Sequence, residues 1–275
     1  MSTGKGISIW QVDAFADRPF AGNPAAVCIL ESFPSDEWLQ RVAAEMNLSE
    51  TAFMVPTGEA NRFHLRWFTP ATEVDLCGHA TLASAHTLIE QDRVDLLSPI
   101  RFQTRSGELR CTQTRSRITL DFPATPAKND VDASTATMLL AALGIVEATV
   151  LQSKFDLVVV VDGAEIVKSL CPDFNSLERV EKRGVMVTAL SQTADVDFIS
   201  RFFAPRCSIN EDPVTGSAHC CLAPYWAAQL GKTSLIGYQA SARGGTVHCE
   251  VAGDRVLLTG NAITVLEGRL LVSPF

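Results

Sequence analysis

The chain has 275 residues, 47% of them apolar and 20% charged, with a formal charge of −8 at neutral pH. That much apolar side chain excludes a disordered polymer, and the net negative charge argues against a nucleic-acid binder. At this length one large or two medium domains are expected, each with its own core.

The apolar stretches 138–146 and 157–161 fall far short of the roughly 20 residues that cross a bilayer. The opening MSTGKGISIW has no apolar leader core and no Met-Gly acylation start. A cytoplasmic protein without membrane contact is therefore expected. Eight cysteines contain no C-x-x-C pair and are too sparse for a disulfide scaffold, so they read as reduced thiols. A zinc set drawn from Cys77, His79, His219, Cys220 and Cys221 lacks the paired short spacings of a structural site, and no metal is expected.

In chain order, Ile7 to Phe15 and Ala25 to Leu30 read as strands joined by a Gly-Asn-Pro turn at 22–24. Ser35 to Met46 predicts a helix, with Ser35 as cap, Asp36 and Glu37 at its positive end, and Trp38, Leu39, Val42, Ala43 and Met46 on one face. Strands follow at 51–55 and 62–68. Gly78 to Gln91 predicts a helix of small apolar residues, buried on most sides. Ala133 to Leu143 predicts a helix stopped by Gly144, 157–161 a buried strand, and Gly216 to Leu230 a second small-residue helix. Strands and hairpins dominate without regular βαβ alternation, which makes the class α+β.

The chain also repeats itself. RWFTP at 66–70 matches RFFAP at 201–205, and each precedes a polar loop and a helix-opening glycine, Gly78 or Gly216. QTRSGELRC at 103–111 matches QASARGGTVHC at 239–249, with the alternating ITLDF and VLLTG beyond. The period is about 138 residues, and the Pro-rich 122–130 stretch is the expected linker. Duplication into two similar lobes facing each other is implied.

No G-x-G-x-x-G, Walker A, G-x-S-x-G or H-E-x-x-H signature is present, so nucleotide cofactors, a serine-hydrolase elbow and a zincin site lose their usual support. What stands out is polar residues at two helix starts, where free N–H groups and the helix dipole suit a carboxylate. Gly78 with His79, and Gly216 with Ser217, are those starts. The dipole is expected to keep His79 neutral. Glu50, alternating with Leu48, Ala52 and Met54, is expected on an apolar face that raises its pKa and suits it to proton transfer near neutrality. Asp212, beside Glu211, precedes the second helix. Phe20, Trp67 and Phe68 are candidates for an apolar pocket lining, or for core.

These residues lie in stretches that resemble the PhzF family, the phenazine-biosynthesis isomerase and its relatives within the diaminopimelate epimerase superfamily. The matching segments are QVDAFADRPFAGNPAAV, NLSETAF, LRWFTPATEVDLCGHATLASAH and NEDPVTGSA, with SARGG and GDRVLLTGNAITVLEG, and together they cover essentially the whole chain. The resemblance implies two pseudo-symmetric lobes, 1–125 and 126–275, each a curved antiparallel sheet around a central helix. It further implies that the last ~10 residues return to the first lobe, that the active site lies in the cleft, and that the protein is a homodimer. Glu50 corresponds to the acid/base residue, His79, Asp212 and Ser217 to its polar partners, and Gly78 and Gly216 to amides that hold the carboxylate of a small substrate. Cys77, Asn23 and Asp75 are secondary candidates. The implied reaction is a cofactor-free proton shift between carbons. Its rivals are an epimerase or dehydratase using Cys77, and a noncatalytic binding protein. Two-base epimerisation is disfavoured because Thr215, not a second cysteine, precedes Gly216.

Overall fold

The computed structural model describes residues 6–272. They form two compact units, one of the described residues up to 121 together with those from 259 onward, the other of residues 122–258. Each has its own core.

The first unit contains β1 (Ile7–Ala14), β2 (Asn23–Ile29), α1 (Asp36–Met46), β3 (Glu50–Pro56), β4 (Arg62–Phe68), β5 (Glu73–Val74), α2 (Gly78–Glu90), β6 (Ile100–Thr104), β7 (Gly107–Thr114) and β8 (Arg117–Pro123). Its chain order is built from antiparallel β1/β2, parallel β2/β3, antiparallel β3/β4 and β4/β5, parallel β4/β6, then antiparallel β6/β7 and β7/β8.

The second unit contains α3 (Ala133–Leu143), β9 (Thr149–Gln152), β10 (Leu157–Val160), α4 (Ala164–Ser169), α5 (Phe174–Leu177), β11 (Val185–Leu190), β12 (Phe198–Ala204), β13 (Ile209–Asp212), α6 (Gly216–Leu230), β14 (Ser234–Gln239), β15 (Gly245–Ala252) and β16 (Arg255–Gly260). Its pairings repeat the sequence of the first unit: antiparallel β9/β10, parallel β10/β11, antiparallel β11/β12 and β12/β13, parallel β12/β14, antiparallel β14/β15. The final strand, β17 (Ala262–Leu270), pairs antiparallel with β1 and so belongs to the first unit.

The class is α+β and most pairings are antiparallel, yet two in each unit are parallel. Each parallel pair is spanned by a helix: α1 between β2 and β3, α2 between β4 and β6, α4 and α5 between β10 and β11, α6 between β12 and β14. A helical crossover returns the chain in its starting direction, which a tight hairpin cannot do. The alternation of single residues gives no hint of this.

Helix ends follow the expected chemistry. Ser35 Oγ accepts from the Trp38 N–H, Asp132 accepts from Thr135, and Asn47 and Gly144 close α1 and α3 in the left-handed region. Between β1 and β2 the turn is earlier than the sequence predicts, because Asn23 and Pro24 already pair with Ala14 and Asp13. Only Gly22 of the predicted triplet turns, at φ +66, and a β-carbon there would meet the Ala14 carbonyl oxygen at 2.2 Å.

Strand alternation then divides the first unit's core. Ala26, Cys28, Phe53 and Phe68 pack on Leu39, Val42 and Ala43 of α1. The opposite set, Asn23, Ala25 and Val27 of β2 with Glu50, Ala52 and Met54 of β3, faces away from that cluster, since Ala25 is in register with Glu50. Leu48 sits before the strand and packs with the α1 cluster, so it does not share the Glu50 face as alternation suggests. Buried residues occur around the whole of α2. Its hydroxyls Thr81, Ser84 and Thr87 each donate to the carbonyl four residues back, which satisfies them without a partner outside the helix.

Gly22→Ala is expected to destabilise the fold by about 1–3 kcal/mol, because it adds left-handed strain and a clash with backbone. Urea unfolding with an unchanged m-value and a lowered midpoint would report it.

Candidate active site

Both long buried helices begin without a cap. Cys77 before α2 and Thr215 before α6 make no side-chain capping bond, and neither helix has an acidic residue in its first turn. By contrast α1, α3 and α5 are capped by Ser35, Asp132 and Asp173. The starts of α2 and α6 thus lack a side-chain oxygen cap, and an anion is the natural complement.

In the first unit, three elements bring four predicted residues together. Asn23 opens β2, Glu50 opens β3, and Cys77 and His79 flank the glycine that opens α2. His79 Nε2 lies 3.0 Å from Glu50 Oε2, with side-chain exposures of 5% and 13%. Neither atom completes a hydrogen bond of good geometry among the described residues, so both are buried with a hydrogen-bonding direction open. On the other side of the ring, Nδ1 is 3.1 Å from Asn23 Nδ2 and 3.5 Å from Cys77 Sγ. A neutral ring accepts there from the amide, while an imidazolium donates to the sulfur or to the amide's oxygen end, so the surroundings accommodate either charge.

The expected neutrality of His79 is not what the site favours. Burial disfavours the cation, while an ionised Cys77 sulfur and the Glu50 carboxylate favour it and raise the His79 pKa above the ordinary 6.5; near neutral pH, where the thiol keeps its proton, the carboxylate is the charge that acts. A full charge at 3.0 Å overcomes the partial charge of a helix end. The Cys77 thiol is pushed up to about 11, chiefly by burial and then by Glu50. It is a neutral thiol at physiological pH.

Glu50, Cys77 and His79 offer donor atoms within 4.8 Å of one another. Cys77 approaches Nδ1, however, and Glu50 approaches Nε2. These nitrogens point to opposite sides of the imidazole, so one ion cannot take all three groups in this arrangement.

In the second unit, Glu211 and Asp212 have separate tasks. Glu211 takes a two-pronged bond from Arg201 at 2.7 and 2.9 Å, as Glu73 does from Arg66 at 2.7 Å in the first unit. The Arg that begins each repeated RWFTP or RFFAP motif thus ties down the strand before each helix. Asp212 Oδ2 instead accepts from Thr215 Oγ1 at 2.5 Å. Fully buried Gln239 accepts from the Thr215 N–H and donates to the Asp212 carbonyl, locking the helix entry. Ser217 Oγ accepts from Arg183 Nη2 at 3.0 Å. Sequence reasoning missed Gln239 and Arg183, although Gln239 opens one of the repeated segments.

Other candidates fall away from these groups. Asp75 is exposed and lies 3.8 Å from Arg105. Trp67 and Phe68 are core, at 1% and 2% exposure, whereas Phe20 is 76% exposed, its N–H held by buried Asp13. His219 is buried and bonded to the Thr215 carbonyl, and burial lowers its pKa to about 4, so it is a neutral core residue. All eight cysteines are unpaired, and no described helix is long and apolar enough to cross a membrane.

Because His79 binds its proton more tightly folded than unfolded, the stabilisation from its pairing is complete below about pH 6.5 and is lost as pH rises through the folded value. Wild-type protein should therefore lose more thermal stability than His79→Gln between about pH 7 and 10. Nitrogen-15 spectra of the imidazole should show both nitrogens protonated at pH 7; a neutral ring there would refute this.

Comparison with known proteins identifies the family and the fold. Residues 12–268 match the family described as phenazine biosynthesis-like protein. An uncharacterized isomerase of Pseudomonas aeruginosa is 52% identical over 265 residues, covering 96% of this chain and 98% of the relative. The crystal structure of a phenazine biosynthesis protein of the PhzF family from Enterococcus faecalis superposes with a TM-score of 0.90 at 41% identity, covering 97% of this chain and all of that one. A hydroxyproline epimerase from Agrobacterium vitis shares the fold at a TM-score of 0.63 and 12% identity, over 98% and 94% of the two chains. With its repeated sheet, its two uncapped helix starts and a match along nearly its full length, the chain belongs to the PhzF-type phenazine biosynthesis-like protein family.

Proposed function

We propose that the protein is a cofactor-independent isomerase that moves a proton between carbons of a small carboxylate substrate, with Glu50 as general acid and base. One observation carries this reading: a nearly buried carboxylate faces His79 at 3.0 Å, with unfilled hydrogen-bonding directions, at an uncapped helix start. The name isomerase borne by the Pseudomonas relative supports the class.

In the ground state the His79 ring lies 3.0 Å from the Glu50 carboxyl, whose strand neighbours on the same face, Ala52 and Met54, are apolar, and Glu50 acts as the base. Glu50 removes a proton from an activated carbon, and the electron pair delocalises into the conjugated system of the substrate. The carboxylic acid so formed then gives the proton to another carbon of that system, and Glu50 returns to carboxylate. The amides of Gly78 and His79 suit the substrate carboxylate beside Glu50, and in the second unit the amides of Gly216 and Ser217, with the serine hydroxyl, suit a carboxylate by the same chemistry. Fixed at that end, the substrate presents both carbons to one carboxyl. Asp212 orients the second helix start through Thr215.

Cys77 is the rival base, since its sulfur touches the same imidazole. Its pKa of about 11 leaves little thiolate at neutral pH. The hydroxyl of Thr215, engaged by Asp212, cannot serve as the opposite base of a two-thiol epimerase. We further propose a cytoplasmic homodimer, consistent with eight unpaired cysteines and checked by sedimentation velocity.

The test is solvent exchange. Incubation in D2O with a panel of unsaturated, cyclic and amino carboxylic acids, followed by mass spectrometry, should show deuterium uptake in at least one. Glu50→Gln should lower the exchange rate about 100- to 10,000-fold while leaving affinity nearly unchanged, and Cys77→Ala should retain exchange. Exchange that survives Glu50→Gln and dies with Cys77→Ala would transfer the chemistry to the thiol. A panel that binds without exchange would leave a noncatalytic binding protein.

A further inference from the structure

Arg183 is a cation of the second unit held from several sides. Its Nε and Nη2 bond both carboxylate oxygens of Asp156 at 2.8 and 2.5 Å, and the Asp156 side chain is 2% exposed. Its guanidinium carbon sits 5.3 Å from the ring centre of Phe155 and 5.8 Å from that of Phe202. Gly184 makes room for that ring, because a β-carbon there would lie 2.3 Å from Phe202 Cζ. Asp156 is in turn fixed by the Ser153 turn, whose hydroxyl accepts from its N–H. Backbone, carboxylate and rings together hold the guanidinium plane in one orientation.

From that position Nη2 also donates to Ser217 Oγ at 3.0 Å, whereas Nη1 has no protein partner among the described residues, and the side chain remains 37% exposed. An ion pair with one partner this deeply buried is expensive to desolvate, and an apolar pair of like volume would pack there at lower cost. What an apolar pair would not supply is a guanidinium whose N–H groups are fixed against the second residue of an uncapped helix, even with Asp156 and Asp212 offsetting its charge. By donating to Ser217 Oγ, the guanidinium occupies a lone pair of that oxygen and turns the hydroxyl proton outward, free to donate to an anion. Nη1 leaves two further N–H groups unspent.

We infer that Arg183, clamped by Asp156, is a positioning and specificity residue that orients the Ser217 hydroxyl as a donor and restricts the substrate to molecules carrying a carboxylate. The inference rests on the reading of Ser217 as a carboxylate contact, and it adds the element that distinguishes an acid from its uncharged amide. The helix amides alone accept any oxygen; the added cation makes charge a requirement.

The test compares Arg183→Met, which keeps a side chain against Phe155 and Phe202, Arg183→Lys and Asp156→Asn with wild type. Isothermal titration uses each acid of the exchange panel and the primary amide of that acid. For the acids, Arg183→Met should weaken binding about 10- to 100-fold, Arg183→Lys should recover part of that loss, and Asp156→Asn should fall between. Amide binding, weak in wild type, should not change further. Raising the salt should weaken acid binding to wild type and leave Arg183→Met nearly unaffected. In exchange assays the loss should appear in KM, with kcat within about threefold.

Unchanged acid affinity in folded Arg183→Met would overturn the inference. So would equal losses for acid and amide, which mark a purely structural role, and so would a wild type that binds none of the acids. Failure of the Glu50 reading looks different: acid-selective, Arg183-dependent binding would persist while exchange ignored Glu50→Gln.

Discussion

The site depends on a single short contact, the approach of the Glu50 carboxylate to the His79 ring at the start of α2. Each charge alone would be costly in its buried setting, and the helix dipole works against the cation. Together they are tolerable, because a carboxylate at 3.0 Å favours the protonated ring. Everything nearby serves to hold these two groups in register. The parallel pairing of β2 with β3 sets Ala25 beside Glu50, and the left-handed turn at Gly22 places Asn23 on the same face and behind the imidazole.

The duplicated architecture shows how one scaffold element takes two roles. In both units an arginine opening the repeated motif grips a glutamate seven or ten residues on, and the strand so fixed leads into an uncapped helix of small residues. Beyond that common frame the surroundings diverge. The first helix start carries an imidazole, a thiol and a carboxylate, the set suited to moving protons. Around the second lie a threonine locked by Asp212 and Gln239, and a serine held by a clamped guanidinium, the set suited to recognition. Thr215 stands before the second helix where Cys77 stands before the first, so a thiol precedes only one of the two helix starts.

Local signals carried much of the fold. Capping by Ser35, the stop at Gly144 and the small-residue faces of the two central helices were legible because each depends on a few neighbouring residues. The repeat was legible because both copies retain the Arg, aromatic and Pro that build the same strand end. Parallel strand pairing was not, since the direction in which a strand meets its partner depends on the crossover between them. Nor was the placement of Leu48, which lies before the strand and escapes its alternation.

For the site, the sequence by itself determined the cast: an acidic residue opening a strand, two glycine-led helices free of acidic first turns, and a thiol at only one of them. Tertiary structure alone decided which of those residues meet. It set Glu50 against His79, separated the tasks of adjacent Glu211 and Asp212, left Asp75 on the surface, and brought Arg183 to Ser217 across 34 residues of chain. It also set a carboxylate against the His79 ring, which favours its protonated form. The physical reason is distance: a helix dipole can be read from position in a sequence, but a carboxylate 3.0 Å away is supplied by a strand 29 residues earlier, and Coulomb energy follows separation in space.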